Sequence, residues 1–144
     1  MIGFEGHLDV AQSPSEAFEL LADLAELHRW NPNVRSSARV GGERLEPGSS
    51  YESVIVRGPV RMTARSTLVD VVPGTLVRYE GTIAGFWSVD WLTFEPAETG
   101  TMITFRNEST PPSWLRPFGR LLNAAFQRQA RLAADGARQY LAAV

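Results

Sequence analysis

Residues 60–109 read VRMTARSTLVDVVPGTLVRYEGTIAGFWSVDWLTFEPAETGTMITFRNES. Apolar and polar residues alternate through this stretch, which is the period of half-buried strands. Pro73-Gly74 is a hairpin signal and Glu98-Thr99-Gly100 marks a turn. The spacing predicts strands over Val60 to Val72, Thr75 to Ile83, Phe86 to Glu95 and Thr101 to Ser109. Connections this short join antiparallel neighbours.

The same pattern continues towards the N-terminus. Tyr51 to Arg57 and Val34 to Val40 are two more strands, separated by Gly41-Gly42 and Gly48. Ile2, Phe4, Leu8 and Val10 alternate with Glu5, His7 and Asp9, giving a first strand and a total of seven. Between the first and second strands, Ser13-Pro14-Ser15-Glu16 is a helix start. Ser13 caps, Pro14 suits the first helical position and Glu16 completes a capping box. A second short helix is expected over Leu24 to Trp30, stopped by Pro32.

After Thr110-Pro111-Pro112-Ser113 the pattern becomes helical up to about Ala142. Arg116, Arg120, Asn123, Gln127, Arg131, Asp135 and Arg138 form a polar face. Phe118, Leu121, Leu122, Ala125, Leu132, Ala133 and Tyr140 form the other. From Pro117 such a helix is roughly 39 Å long, enough to cross the sheet. A curved sheet with one long helix across it rarely fills its own interior, and the space left suits a small molecule.

The totals agree with a single α+β domain over residues 1–144. There is no Cys, which excludes disulfides and thiolate metal sites. The formal net charge is -2, which argues against a nucleic-acid partner. Met1-Ile2-Gly3-Phe4-Glu5 does not read as a signal peptide, and no stretch approaches the roughly 18 apolar residues of a membrane span. A cytoplasmic location without stable membrane insertion is expected. All 14 basic residues are Arg, scattered along the chain. His7 and His28 lack the partners of a metal site, and no nucleophile elbow, P-loop or dinucleotide fingerprint is present. No cofactor is expected.

Several segments together resemble a known group. They are Val10-Ala11-Gln12-Ser13-Pro14-Ser15-Glu16-Ala17-Phe18, Asp23 followed by Trp30-Asn31-Pro32-Asn33-Val34, Val69-Asp70-Val71-Val72-Pro73-Gly74, and Gly100-Thr101-Met102-Ile103-Thr104-Phe105. In order and spacing the chain resembles the START-like (SRPBCC) superfamily, in its polyketide cyclase/dehydrase and lipid-transport branch. The resemblance implies a helix-grip fold: a curved seven-stranded antiparallel sheet around a long C-terminal helix, with two short helices and a hydrophobic cavity. It implies no single function, because members include carriers, receptors and cyclases.

The interior candidates follow from strand faces. Val60, Met62, Ala64, Ser66 and Leu68 share the more apolar face of their strand. Ser66 there is either a ligand contact or a small wall residue. On the next but one strand, Phe86, Ser88, Asp90, Leu92 and Phe94 share a face, and the resemblance implies that this face is the inner one. Asp90 is then a candidate acid/base or ligand contact, because desolvation raises a carboxyl pKa. The alternatives are a solvated carboxylate near the mouth, or a pair with Arg78 or Arg106. Asn107 lies on the Ile103/Phe105 face and would need partners inside. Tyr51 and Tyr79 are candidate pocket hydroxyls, and Leu122 is a candidate helix contact. Trp30 resembles a family aromatic at the cavity mouth, with core packing as the other reading.

With that facing of the strand from Phe86, Trp87 and Trp91 fall on the outer face, where they suggest a homodimer patch; with the opposite facing they line the pocket instead. Trp114, Leu115 and Phe118 among Pro111, Pro112 and Pro117 read either as a lid or membrane-touching entrance, or as packing under the long helix. The aromatic cyclases that the chain resembles place an Arg two residues after an inward Ser, and a Tyr just after the Trp-Pro segment. This chain has Leu68 after Ser66, and Arg35, Ser36 and Ser37 after Trp30. The expectation is therefore a carrier or sensor of a small hydrophobic ligand such as a lipid or polyketide. The alternative is a cofactor-independent polyketide cyclase or dehydratase using Asp90 and Ser66, with Arg78 as a partner of Asp90.

Overall fold

The computed structural model describes residues 2–144, with Met1 outside the described residues. The strands are β1 (Ile2–Val10), β2 (Val34–Gly41), β3 (Ser50–Arg57), β4 (Val60–Val72), β5 (Leu76–Ile83), β6 (Phe86–Pro96) and β7 (Thr101–Thr110). They form one antiparallel sheet in the order β1-β7-β6-β5-β4-β3-β2. Helix α1 (Pro14–Leu21) and a long helix α2 (Gly119–Ala143) complete the frame with two 3-10 helices, Leu24–Arg29 and Ser113–Phe118. This is the helix-grip arrangement.

The start of α1 forms as its sequence predicts: the Glu16 amide donates to Ser13 Oγ, and Pro14 sits in the first turn. The second short helix differs from expectation. It is a 3-10 helix, initiated by the Ala25 amide donating to the Asp23 carboxylate. Six residues between that turn and Asn31-Pro32 are too few to repay α-helix nucleation. The last helix also begins later than expected. Residues 113–118 are 3-10, because Pro117 donates no hydrogen bond and disfavours α geometry at Arg116.

The core fills one end of the molecule. Leu8, Val10, Phe18, Leu21, Val77, Phe94, Ile103, Ala137 and Leu141 cluster there under α1. Phe18 and Phe94 meet edge to face, with ring centroids 5.4 Å apart. The Tyr79 hydroxyl donates to the Ala22 carbonyl at 2.7 Å and accepts from the Leu24 amide at 3.2 Å, tying the sheet to the helical cap.

Helix α2 runs beside β1 from the uncapped end to this core. Gln127 Nε2 donates to the Gly3 carbonyl, and at the far end Gln12 Nε2 donates to the Leu141 carbonyl. Close backbone approach between α2 and the sheet is concentrated on β1. Only Ala137 and Leu141 of α2 are buried. The predicted apolar face is corrected accordingly: Phe118, Leu121 and Leu132 are exposed. Gly136 explains why the tight contact is so local. A Cβ there would overlap the Trp30 carbonyl oxygen and lie 2.8 Å from Pro32 Cδ.

Candidate functional site

Where α2 stands off, the inner face of the sheet stays reachable by solvent. Met62, Ala64 and Ser66 of β4, Gly81 and Ile83 of β5 and Ser88 of β6 are all partly exposed. Phe4, Phe105, Leu122 and Phe126 are partly exposed as well. Phe86 is buried and its ring lies 5.8 Å from that of Phe126, so the helix touches the sheet at this point. This partly exposed stretch of the inner face beside α2, flanked by apolar residues, is the candidate cleft.

The cleft floor is small and polar. Strand register sets Ser66 opposite Gly81, Gly81 opposite Ser88 and Ser88 opposite Ser109. At Gly81 a Cβ would overlap the Arg65 carbonyl oxygen, so no side chain rises there. The next row sets Tyr79 opposite Asp90 and Asp90 opposite Asn107. Asn107 Nδ2 donates to Asp90 Oδ1 at 2.6 Å and to Ser88 Oγ at 2.9 Å. Ser109 Oγ donates to Asn107 Oδ1 at 2.8 Å, and the Ser88 and Ser109 hydroxyls are 3.3 Å apart. Asp90, Asn107, Ser88 and Ser109 thus form one connected cluster from two adjacent strands.

Asp90 faces inward, and it has no cation beside it among the described residues. The pair with Arg78 is overturned: Arg78 lies on the outer face, against Asp70 at 3.4 Å and Glu80 at 3.8 Å. Arg106 is outside too, bound to Glu108 at 2.5 Å. Alternation along the strands puts both arginine side chains on the surface opposite Asp90, so neither guanidinium can reach the cleft. Crowding by protein pushes the Asp90 carboxyl up to about 6, and the hydrogen bonds from Asn107 and Ser88 hold it from rising further. Asp90 nonetheless keeps an exposed surface. The two facts fit a concave site, where water reaches the carboxyl but bulk solvent cannot surround it. The upward direction follows from that crowding.

Because the folded value lies above the ordinary 3.8, protonation of Asp90 favours the folded state. That contribution is fully present below pH 3.8 and is lost as pH rises through about 6. Asp90→Asn should flatten this part of the stability–pH curve, measured by urea unfolding from below the lower of these values to above the higher. Parallel curves for the two proteins would contradict an upshifted Asp90.

The other expected site residues divide into two groups. Met62, Ser66, Phe86, Asp90, Phe105, Asn107 and Leu122 border the cleft or its floor. Tyr51, Leu68, Tyr79 and Trp30 instead belong to the core cluster. Tyr51 and Tyr79 stack edge to face at 5.4 Å, and the Tyr79 hydroxyl is taken up by the cap, so it is not a free pocket hydroxyl. The Trp30 ring is buried in the core cluster, with its centroid 6.0 Å from that of Phe105. Trp91 is half-buried beneath the Arg106 guanidinium, 4.6 Å from its ring centroid, which leaves Trp87 as the exposed outer tryptophan. Ser109 and the site role of Ser88 escaped the sequence reading. Their signal was present: each lies two residues from Asn107 or Asp90, hence on the same face.

The sequence matches the family described as polyketide cyclase / dehydrase and lipid transport over residues 1–142. No curated protein matches it. Among solved structures it is similar to TTHA0849 from Thermus thermophilus, with TM-score 0.79 and 16% identity, covering 99% of this chain and 97% of that one. It is similar to the Zhui aromatase/cyclase from Streptomyces sp. R1128, with TM-score 0.77 and 12% identity, over 96% and 92% of the two chains. The di-domain ARO/CYC StfQ from the steffimycin biosynthetic pathway gives TM-score 0.77 and 19% identity. That match covers 97% of this chain and 49% of StfQ. At these identities the likeness is one of fold.

Proposed function

The chain belongs to the polyketide cyclase / dehydrase and lipid transport family, and on that basis we propose that it binds a small, largely apolar molecule in the cleft between the sheet and α2. The observation that carries this reading is the Asp90–Asn107–Ser88–Ser109 cluster, lying on the floor of a cleft with apolar flanks. Apolar burial would supply the affinity, at about 25 cal/mol per Å². The cluster would hold one polar group of the ligand and set its orientation. Leu68 supports binding over the arginine-dependent cyclase scheme, because it is fully buried at the position where that scheme has its Arg.

Native mass spectrometry of freshly purified protein, with extraction of any bound molecule, tests the proposal. A persistent adduct of defined mass is expected. Asp90→Asn should lower its occupancy by about tenfold, the scale of one hydrogen bond to a charged group. Protein of clean apo mass that also fails to take up fatty acids or aromatic polyketides from solution would sink the binding reading.

One observation favours chemistry as a second reading. A carboxyl held near pH 6 offers both protonation states at neutrality, as a general acid/base requires. In a cyclase or dehydratase, Asp90 would move protons between carbons and oxygens of a poly-β-ketone folded against the Ser66–Ser88 floor. An Asp90→Asn variant that turns over such a substrate at the normal rate would remove Asp90 from that role.

A further inference from the structure

The open end of the cleft has a composition unlike the rest of the surface. The segment after β7 puts Trp114 at 71% exposure, Phe118 at 51% and Leu121 at 71%. Pro112 packs against Gly85 in the β5–β6 turn, which fixes this segment at the end of the sheet nearest Ser88 and Ser109. The β3–β4 hairpin reaches the same end. Its residues beyond Ala64, the partner of Ile83, project past the β5–β6 turn and carry exposed Val60. Four large exposed apolar side chains therefore lie at this one end of the sheet.

The charges there are all of one sign. Arg61, Arg116 and Arg120 are exposed, and none has an ion pair among the described residues. Residues 57–64, 81–88 and 109–121 contain no Asp or Glu, although the whole chain carries net charge -2. Helix α2 also starts here, with no acidic residue in its first turn and no side-chain cap, which leaves its positive dipole end uncompensated. The segment is stiffened by Pro111, Pro112 and Pro117, so little ordering entropy opposes docking.

We propose that this rim docks reversibly on an anionic lipid surface, with Trp114, Phe118 and Leu121 entering the headgroup region and Arg116, Arg120 and Arg61 facing the lipid charges. Apolar side chains interleaved with unpaired arginines are complementary to an anionic interface, whereas a neutral surface would satisfy only half of them. No helix among the described residues is long and apolar enough to cross a membrane, so the contact is peripheral. Docking would place the cleft mouth against the lipid, and an apolar ligand could pass without crossing water. The docking contact does not depend on what the cleft holds.

Co-sedimentation with vesicles tests this. Probes are phosphatidylcholine alone and phosphatidylcholine with about one-third phosphatidylserine, each at low and physiological salt. Binding to the anionic vesicles, weakened by salt, is expected. An arginine near an anionic surface contributes about fivefold in affinity, so Arg116→Gln with Arg120→Gln should weaken binding by about 30-fold. Trp114→Ser with Phe118→Ser should weaken it comparably while leaving its salt dependence in place. Arg128→Gln with Arg131→Gln, exposed farther along α2, should change it little. Absence of binding to anionic vesicles overturns the proposal, as does equal loss from the Arg128/Arg131 variant. An acidic protein partner for the rim would show itself as the first of these. Ligand occupancy measured on the same samples separates failure of docking from failure of ligand binding.

Discussion

Leu68→Arg should destabilise the protein by about 3–5 kcal/mol, because it places an unpaired charge in a closed core. Leu68 has 0% exposure and lies among the core residues with Tyr51 and Tyr79. Tyr79 spends its hydroxyl on the cap, and neither ring offers a carboxylate to a guanidinium. Asp23 is the buried acid of this region, and it already caps Ala25 and accepts Arg44 at 3.4 Å. Leu68→Met, which conserves volume, should cost less than about 1.5 kcal/mol. Urea unfolding of the two variants makes the comparison. A Leu68→Arg variant as stable as the parent would mean that this wall opens into the cleft, and it would revive the arginine-dependent cyclase scheme.

Gly136→Val should cost about 3 kcal/mol, the upper range for overpacking. By helix propensity alone the substitution would be mildly favourable, since glycine is the poorest helix former after proline. The local geometry reverses the sign. The added carbon overlaps the Trp30 carbonyl oxygen, a backbone atom that cannot rotate away, and Pro32 closes the other side. The helix must therefore lift from the Trp30–Pro32 segment, pulling Ala137 and Leu141 out of the core. Ligand retention should fall with stability, because α2 forms one wall of the cleft. A thermal melt that is unchanged or raised by Gly136→Val would show that the helix is not pinned here.

Neither of these roles could be read in advance, although the elements that carry them could. Alternation located all seven strands to within a residue or two at their ends, since the pleat imposes its period on any sheet with one buried face. The same alternation grouped Asp90 with Leu92 and Phe94, and Asn107 with Ile103 and Phe105, while the family resemblance supplied the inward facing of Asp90. It could not distinguish Leu68 from Met62, which share a face of β4. Facing is a property of one strand, whereas burial depends on what lies above it. Gly136 was equally silent, because a glycine within a helical pattern announces a cost and not the neighbour that requires it.

The sequence by itself determined the antiparallel sheet, the capped first helix, the long final helix and the family resemblance. Each is set by local period, turn chemistry or motif order. Only the tertiary structure decided where α2 crosses. That path seals Leu68, Tyr51 and Tyr79 under the cap and leaves Ser66, Ser88 and Asp90 beside solvent. It also decided that Asp90 meets Asn107 and not Arg78, because cross-strand register joins residues from distant parts of the chain. Clefts, charge pairing and a displaced pKa arise from contacts between elements, and no single element's sequence records them.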